Sequence, residues 1–356
     1  MRDVRQWRKD RGTVTSSRQW QLVRRPVGEP TDDDVALVPV DVPDPGPGEV
    51  LVRNAVMSVE PYMRGRMSEA RSYVEPYALG EPMSGHAVGE VIASADPVLP
   101  EGSWVRHELG WREVALVKAA EAEPVDVRGF DPALHLGVLG QTGLTAYAGL
   151  LRIASLKPGE TVFVSAAAGA VGATAVQIAK AKGCTVIGSA GSAEKVAFLT
   201  RELGADAAFD YHDGAVRDLL AAALERAGAA GIDVYFDNVG GEQLECAIRC
   251  MREEGRIALC GAISTYNATE PVPGPRNLLL MIWRRLRMEG FLVTRHLDLR
   301  PDFERDMAGW LCSGAIRSVE TTVRGGITQA WPAFLDMLGG GNVGKTVVSL
   351  TDRTEG

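Results

Sequence analysis

The stretch SAAAGAVGATAVQIAKAKG, residues 165–183, has the residue types and spacing of a phosphate-binding turn. A β-branched run, TVFVSA, leads into the turn, and apolar residues at helical spacing follow it. Gly169 lets the backbone approach a pyrophosphate, and Gly172 lets the new helix pack tightly on the strand. The start of that helix offers free N–H groups and partial positive charge to an anion. Ala167 stands where the first glycine of G-x-G-x-x-G is usual, so a glycine-rich turn without a ligand is the alternative.

The residues after the second predicted strand indicate which dinucleotide binds. An NAD site usually carries an Asp or Glu about 20 residues after the glycine turn, where it bonds the ribose. Here the strand TVIGSA runs into GSAEK, so that position is Gly191 or Ser192. A carboxylate would repel a 2′-phosphate, whereas Ser192 can donate a hydrogen bond and Lys195 adds positive charge. We therefore predict NADP as the cofactor; Glu194 is the alternative ribose acid, and we expect it to point elsewhere on its helix.

The chain changes character twice, and these changes predict the elements that hold the turn. Pro and Gly punctuate short apolar runs from Gln19 to about Leu139, which is typical of a β-rich segment. From about Leu156 to Leu292 strands alternate with helices, a pattern that favours a parallel, doubly wound sheet. The tail from about Leu311 returns to strand-like pieces such as KTVVSL, and we expect it to complete the first domain.

We therefore predict an α/β protein with a doubly wound parallel sheet and a β-rich domain. The expected divisions are a disordered extension at 1–17, the first part of the β-rich domain at 18–140, the dinucleotide-binding domain at 141–312, and a return to the first domain at 313–356. The segment GEVLVRNAV is predicted to be a strand with alternating inward and outward side chains, and LLLMIW a core element with a charged end.

The composition narrows the function classes. The 356 residues carry a formal net charge of −8, so a nucleic-acid partner has no electrostatic support. No apolar run approaches the roughly 20 residues of a membrane span, and the first residues lack the apolar region of a secretory signal. The five cysteines include no C-x-x-C pair, which favours a reducing, cytoplasmic setting.

Eight segments, two of them already described, carry a resemblance to a known family. They are SVEPYMRGRM (58–67), GQTGLTAYAGLL (140–151), AAAGAVG (166–172), AGSAEK (190–195), FDNVGGE (236–242), CGAISTYN (260–267), EGFLV (289–293) and GNVGKTVV (341–348). The resemblance extends over nearly the whole chain from Gln19 onward, and AGSAEK and CGAISTYN together are fairly specific. The sequence resembles the medium-chain dehydrogenase/reductase superfamily, in its zinc-free leukotriene/prostaglandin reductase and alkenal double-bond reductase branch.

The resemblance implies a GroES-like catalytic domain, a Rossmann domain that binds NADP, and a homodimer. In such enzymes the counterpart of Lys195 binds the 2′-phosphate, with that of Tyr211 beside it. His212 stands where many relatives have Lys, which would make the charge near this phosphate depend on pH. The residues expected to bind the cofactor are Gly169, Ala170, Val171, Gly172, Ser192, Lys195, Tyr211, Asn238, Cys260, Gly261, Ala262, Ile263, Ser264, Tyr266, Phe291, Leu292, Val293 and Asn342.

The absence of early cysteines separates two reaction classes within such a family. Catalytic zinc in its usual Cys₂His site needs thiolates, but no cysteine precedes Cys184. His86 stands where a zinc-binding G-H-E motif would, yet Ala87 replaces the acid, so we expect no metal and a structural or pocket role for His86. Hydride delivery from NADPH to the β-carbon of an enone or enal needs only neutral donors for the enolate oxygen. Tyr266 and Tyr62 are the candidate catalytic donors, because an ordinary tyrosine has a pKa of about 10.

The expected function is therefore NADPH-dependent reduction of the C=C bond of α,β-unsaturated ketones and aldehydes. Met57, Met63 and Met83 are expected to line an apolar slot for this small-molecule substrate. Two alternatives stay open: an NADPH quinone oxidoreductase of the same fold, and a non-catalytic NADPH-binding sensor or structural protein.

Overall fold

The computed structural model describes residues 14–70 and 72–351, which form two compact units. The first unit runs to Leu136 and includes Thr322–Gly339 and the chain from Thr346; the second is Gly137–Thr321 with Gly340–Lys345. The chain thus leaves the first unit four residues before the predicted border at 140, and it returns nine residues after the predicted border at 312. Among the described helices, none is long and apolar enough to cross a membrane.

The strands of the described residues are given in chain order. They are β1 (Val14–Leu22), β2 (Val35–Pro43), β3 (Glu49–Ser58), β4 (Ala87–Ser94), β5 (Trp104–His107), β6 (Val114–Lys118), β7 (Glu123–Pro124), β8 (Thr161–Val164), β9 (Thr185–Ala190), β10 (Ala207–Asp210), β11 (Ile232–Asp237), β12 (Met251–Leu259), β13 (Arg287–Gly290), β14 (Glu320–Val323) and β15 (Lys345–Ser349).

The α-helices of the same residues follow. They are α1 (Tyr62–Arg66), α2 (Gln141–Tyr147), α3 (Ala170–Ala181), α4 (Ala193–Arg201), α5 (Val216–Arg226), α6 (Gly241–Cys250), α7 (Leu279–Trp283), α8 (Arg300–Ser313) and α9 (Ala330–Leu338). Their ends follow local chemistry: the Ser192 hydroxyl caps α4, and Gly314 ends α8 in the left-handed conformation that glycine favours.

The first unit is built on antiparallel strands. Within the described residues, a seven-stranded sheet has the order β14-β15-β3-β4-β5-β7, with β6 also paired to β3, and β1 and β2 form a separate ribbon. Beside the sheet, Trp111, Trp331 and Phe334 form an aromatic cluster with ring centroids 5.6–6.5 Å apart. This β-rich unit with its C-terminal return agrees with the predicted GroES-like fold.

The second unit is a doubly wound sheet. In the described part of the chain, six strands pair in the order β10-β9-β8-β11-β12-β13, and each neighbouring pair is parallel. The order reverses between β8 and β11, and ligands of such sheets bind at the carboxyl ends of the strands beside this point. The stacked rings of Phe163 and Tyr235, with centroids 4.9 Å apart, join these two strands in the core. The predicted Rossmann fold is confirmed.

Three predictions about local elements are wrong. Residues 14–17, predicted as part of a disordered extension, belong to β1, because they pair with β2 along a register that begins at Val14 and Pro43; residues 1–13 lie outside the described residues. Strand β3 does not alternate, because it has strand neighbours on both edges and core clusters on both faces. The segment LLLMIW is mostly exposed: Ile282 and Trp283 are 72% and 65% exposed, since α7 lies on the surface and only part of it packs inward.

Candidate cofactor-binding and active site

The predicted phosphate-binding turn connects β8 to α3. Gly169 precedes the helix in an extended conformation, and the helix begins at Ala170 and continues through Val171 and Gly172. A Cβ on Gly172 would lie 2.2 Å from the carbonyl oxygen of Ala166, so only glycine permits this close approach. The first N–H groups of α3 have no partner within the helix and face the carboxyl end of the sheet, which fits a diphosphate.

The GNVGK segment closes on this turn. The Gly344 N–H donates to the carbonyl of Ala168 at 2.8 Å, and Gly344 forms a bridge with Gly169. A Cβ on Gly344 would lie 2.1 Å from the Val319 carbonyl oxygen, and its φ of +69° is left-handed. Asn342 donates through Nδ2 to the Gly344 carbonyl at 2.7 Å, so its amide holds this loop beside the turn.

The residues predicted to select the 2′-phosphate lie together at the end of β9. Ser192 caps α4, and its Oγ accepts from the N–H of Lys195 at 3.3 Å. The Lys195 Nζ donates to the carbonyl of Gly340 at 2.6 Å, which holds the ammonium group over this edge. Tyr211 covers Gly191, because a Cβ there would lie 2.9 Å from the tyrosine oxygen. A hydroxyl, an ammonium and a phenol therefore converge on one small region.

Two neighbouring acids modify this region. Glu194 was expected to point away, but it does not: its own backbone N–H and the Ser192 hydroxyl bond the carboxylate and lower its pKa. The second position of a capped helix brings such a side chain back over the first turn. His212 lies 3.1 Å from Asp210, Nδ1 to Oδ1, and its ring packs on Tyr211 with centroids 4.2 Å apart. The imidazole thus stands beside the predicted phosphate position.

A buried carboxylate that the sequence analysis did not identify orders the end of β11. The Asp237 side chain is 0% exposed, and its Oδ1 accepts from the Ser165 hydroxyl, the Tyr235 hydroxyl and two backbone N–H groups at 2.7–3.0 Å. Asn238 is oriented in turn, because its Nδ2 donates to the Ser165 carbonyl at 2.7 Å. The sequence did contain a signal for this carboxylate, because Asp237 directly precedes Asn238 in the FDNVGGE motif.

The segment 260–266 follows β12 and folds over its carboxyl end. The N–H groups of Cys260 and Gly261 donate to the Asp237 carbonyl, and Ile263 and Ser264 donate to the next two carbonyls at 3.2 and 3.3 Å. Burial first, then the charge of Asp237, raises the pKa of Cys260 to about 12, so this thiol is neutral.

Tyr266 lies at the end of the same segment with its hydroxyl against the backbone. The oxygen is 3.4 Å from the position of a Cβ on Gly261, and it takes a backbone hydrogen bond from Ala262. Burial, the larger effect, raises the pKa of Tyr266 although that hydrogen bond opposes it. The phenol therefore keeps its proton, and a neutral hydroxyl is a hydrogen-bond donor.

A cavity of about 510 Å³ opens beside the ends of β12 and β13. It is lined by Leu259, Gly290, Phe291, Leu292, Arg295 and His296. The structure thus brings two of the three predicted residues of FLV to the cavity, whereas Val293 is buried beneath it. The sequence analysis did not identify Arg295 and His296 as cavity residues. They are exposed or half-exposed polar residues, and such residues do not contribute to a hydrophobic pattern in the sequence.

The remaining predicted residues belong to the first unit. Tyr62 begins α1 and is half-buried; burial, and then the charge of Glu60, raise its pKa strongly, so it is neutral. The expectation for Met57, Met63 and Met83 is wrong, because all three are 0% exposed in the aromatic core and line no slot. Within residues 14–70 and 72–351, no group of three or more His, Cys, Asp or Glu side chains is arranged to hold a metal ion.

Comparisons with known proteins agree with this architecture. The family model for the N-terminal domain of oxidoreductases matches residues 18–125, and that for zinc-binding dehydrogenases matches residues 170–311. The NADP⁺-dependent 2-alkenal reductase of Nicotiana tabacum is 40% identical over 94% of this chain and 98% of its own length. Prostaglandin reductase 1 of Rattus norvegicus is 41% identical over 94% and 99%.

A solved structure extends the match to three dimensions. The crystal structure of CurA from Vibrio vulnificus in complex with NADPH has a TM-score of 0.88 and 39% identity, and the match covers 94% of this chain and 99% of that one. Sequence and fold therefore agree over nearly the whole length of both chains. The chain belongs to the medium-chain dehydrogenase/reductase superfamily, in the branch that includes the 2-alkenal and prostaglandin reductases.

Proposed function

We propose that this protein reduces the C=C bond of α,β-unsaturated ketones and aldehydes with NADPH. The observation that carries the proposal is the Tyr266 hydroxyl, which burial keeps neutral by raising its pKa and which lies at the carboxyl end of a dinucleotide-binding sheet. The names of the relatives, a 2-alkenal reductase and a prostaglandin reductase, support the substrate class. NADPH supplies a hydride to the β-carbon when it is bound.

The chain's own residues would hold the cofactor in three places. Residues 169–172 bind the diphosphate through the N–H groups that begin α3, with the loop of Asn342 packed against them. Ser192, Lys195 and Tyr211 bind the 2′-phosphate, since they converge at the end of β9. The nicotinamide half lies along Asn238, residues 260–264 and 266, and residues 291–293, with Val293 serving as buried support.

The same residues handle the charge that develops on the substrate. Hydride addition moves negative charge to the carbonyl oxygen, and Tyr266 stabilises it with a neutral hydrogen bond. Tyr62, whose pKa is raised by burial, is the second proposed donor and likewise stays neutral. We propose that the first unit with its return segments is the catalytic domain and carries Tyr62, and that the second unit, Gly137–Thr321 with Gly340–Lys345, binds the cofactor and also carries Tyr266.

We also propose that the protein is a cytoplasmic homodimer. In the described second unit, β13 is an edge strand with three of its four residues exposed, and α7 exposes Leu279, Ile282 and Trp283. An unpaired edge beside exposed apolar side chains is a surface that a second copy can cover. All five cysteines are unpaired, which supports a reducing compartment. Sedimentation of the wild type and of Ile282→Glu tests the dimer.

The function is tested by following NADPH oxidation with matched substrates. We expect a 2-alkenal and an alkenone to be reduced to the saturated carbonyl compound, while the saturated aldehyde, a simple alcohol with NADP⁺, and a quinone react much more slowly. Product analysis should show hydrogen from NADPH at the β-carbon. Faster turnover with quinones than with any enone would replace the proposal by a quinone reductase, and NADPH binding without turnover would make the protein non-catalytic.

A further inference from the structure

The loop of residues 340–344 contacts the proposed cofactor site at both of its ends. At the last residue, the Gly344 N–H donates to the carbonyl of Ala168 at 2.8 Å, beside the turn that begins α3. At the first residue, the Gly340 carbonyl accepts from the Lys195 Nζ at 2.6 Å, where α4 follows β9. All of these residues belong to the second unit. One short loop therefore connects the proposed diphosphate turn to the lysine proposed to bind the 2′-phosphate.

Contacts along the 340–344 loop hold it in place. The Thr321 hydroxyl donates to the Val343 carbonyl at 2.7 Å, and its oxygen accepts from the Val343 N–H at 3.0 Å. Gly344 packs closely on the chain beside it, since a Cβ there would lie 2.1 Å from the Val319 carbonyl oxygen. The Gly340 carbonyl therefore belongs to a loop whose course is fixed by its own hydrogen bonds and packing.

A carbonyl at this position limits where the lysine ammonium group can lie. A lysine side chain is a flexible four-carbon stem, and it loses rotamer freedom when it binds an anion. Lys195 is half-buried, and its contact with Gly340 restricts that freedom before any cofactor is bound. An ammonium group has three N–H donors, so one bond to a carbonyl leaves two for a phosphate. The contact therefore prepares the lysine to bind an anion.

The first turn of α4 fixes the other end of the same lysine. The backbone N–H of Lys195 donates to the Ser192 Oγ at 3.3 Å, which is the cap of the helix. The Glu194 carboxylate is bonded by its own backbone N–H and by the Ser192 hydroxyl. The backbone of Lys195 and its ammonium group thus each have a fixed partner, as a preorganised binding group requires.

We propose that the Gly340 carbonyl is a positioning group for the selection of NADPH over NADH. It holds the Lys195 ammonium group where the 2′-phosphate binds, and the 340–344 loop ties this contact to the diphosphate turn. The inference rests on the proposed function, since it requires the 2′-phosphate site assigned there, but it does not depend on enone reduction. Part of the cofactor selectivity thus comes from a carbonyl 145 residues along the chain from the lysine.

The test replaces Gly340 by valine. Gly340 has a left-handed φ of +77°, which a β-branched residue strongly disfavours, and a Cβ there meets nothing within 4 Å. Gly340→Val should therefore turn the local backbone and move the carbonyl away from Lys195 without a clash. Gly204→Val is the matched control, because Gly204 is also exposed, has a φ of +73° and has open space around a Cβ. It lies in the same unit, beyond the other end of α4.

Binding of NADPH and of NADH is measured by fluorescence without substrate, and the unfolding midpoint is recorded for each variant. Wild type should prefer NADPH. Gly340→Val should lower this preference about two- to tenfold, the factor expected when binding must immobilise one flexible side chain again. Its affinity for NADH should not change. Gly204→Val should lose a similar amount of stability and keep the full preference for NADPH.

Two further variants show whether the effect passes through the lysine. In a Lys195→Ala background, Gly340→Val should change the preference no further, because the two substitutions remove the same contact. Thr321→Val, which removes the hydroxyl that holds Val343, should lower the preference in the same direction as Gly340→Val.

Three results would overturn the positioning role. They are an unchanged preference in both Gly340→Val and Thr321→Val, an equal loss with and without Lys195, and a stronger preference for NADPH in Gly340→Val, which would mean that the carbonyl competes with the phosphate. Equal affinity of the wild type for NADPH and NADH would instead refute the proposed 2′-phosphate site itself.

Discussion

Replacing Gly172 by Ala should destabilise the protein, although alanine is the better helix former. A Cβ on Gly172 would lie 2.2 Å from the Ala166 carbonyl oxygen and 2.8 Å from the Ala167 Cα, so the backbone itself must move. Gly309→Ala is the matched control: Gly309 also lies inside a helix, α8, but a Cβ there meets nothing within 4 Å.

The two variants share the gain in helix propensity and differ in the clash. Alanine in place of a helical glycine gains about 0.5–1 kcal/mol, which Gly309→Ala should show in full. Overpacking a tight contact costs about 1–3 kcal/mol, so Gly172→Ala should lose about 1–2 kcal/mol net. Because the movement displaces the turn that begins α3, its NADPH affinity should also fall, while that of Gly309→Ala is unchanged.

The assay is urea unfolding followed by circular dichroism, with NADPH binding measured by fluorescence. A Gly172→Ala variant as stable as Gly309→Ala would show that the turn relaxes freely and would refute the packing argument. Lower stability with unchanged NADPH affinity would separate the packing role of Gly172 from the proposed diphosphate site.

Three further predictions follow from other parts of the structure. Lys195→Ala should reduce the preference for NADPH over NADH roughly ten- to a hundredfold, because a charge-assisted contact is worth about 1.5–3 kcal/mol; equal use of NADH by wild type would contradict it. Tyr266→Phe should lower kcat for an enone by about 10²-fold with less effect on NADPH binding, and unchanged kcat would remove the tyrosine from catalysis. Burial lowers the pKa of His107 from 6.5 to about 3, so the unfolded chain binds the extra proton first and stability should fall by up to about 1.4 kcal/mol per unit as pH drops through that window. His107→Phe should flatten this dependence in acid unfolding, and an identical slope would count against it.

Local pattern predicted most of the second unit. The alternation of strands and helices was enough for the parallel sheet, because each crossover helix forces its flanking strands to run the same way. The glycine turn and the GSAEK segment each connect a strand to a helix, as predicted. Such a connection depends only on residues that are close together in the chain. The roles of Tyr211 and Lys195 were predicted from the family resemblance. Both residues lie near the end of β9, where the order of the strands in the sheet places them.

The errors share one cause, which is burial decided by distant partners. The methionines at 57, 63 and 83 suggested a substrate slot. They are instead buried in one hydrophobic cluster with Trp331 and Phe334, which lie far along the chain. The apolar run of α7 suggested a core element. The burial of this helix depends instead on its neighbours in the fold, and part of it lies exposed on the surface. The role of Asp237 depends on the Ser165 and Tyr235 hydroxyls, which the motif around Asn238 does not reveal.

The sequence alone determined the identity and order of the elements, the dinucleotide turn and the missing ribose acid, since these depend on residues close together in the chain. The tertiary structure decided which side chains meet. It brought Lys195 to the Gly340 carbonyl, Asp237 to the Ser165 hydroxyl, and His86 between carboxylates from two other strands. The physical reason is that backbone pattern is local, whereas hydrogen bonding, burial and pKa depend on groups that only strand pairing across long sequence separations puts in contact.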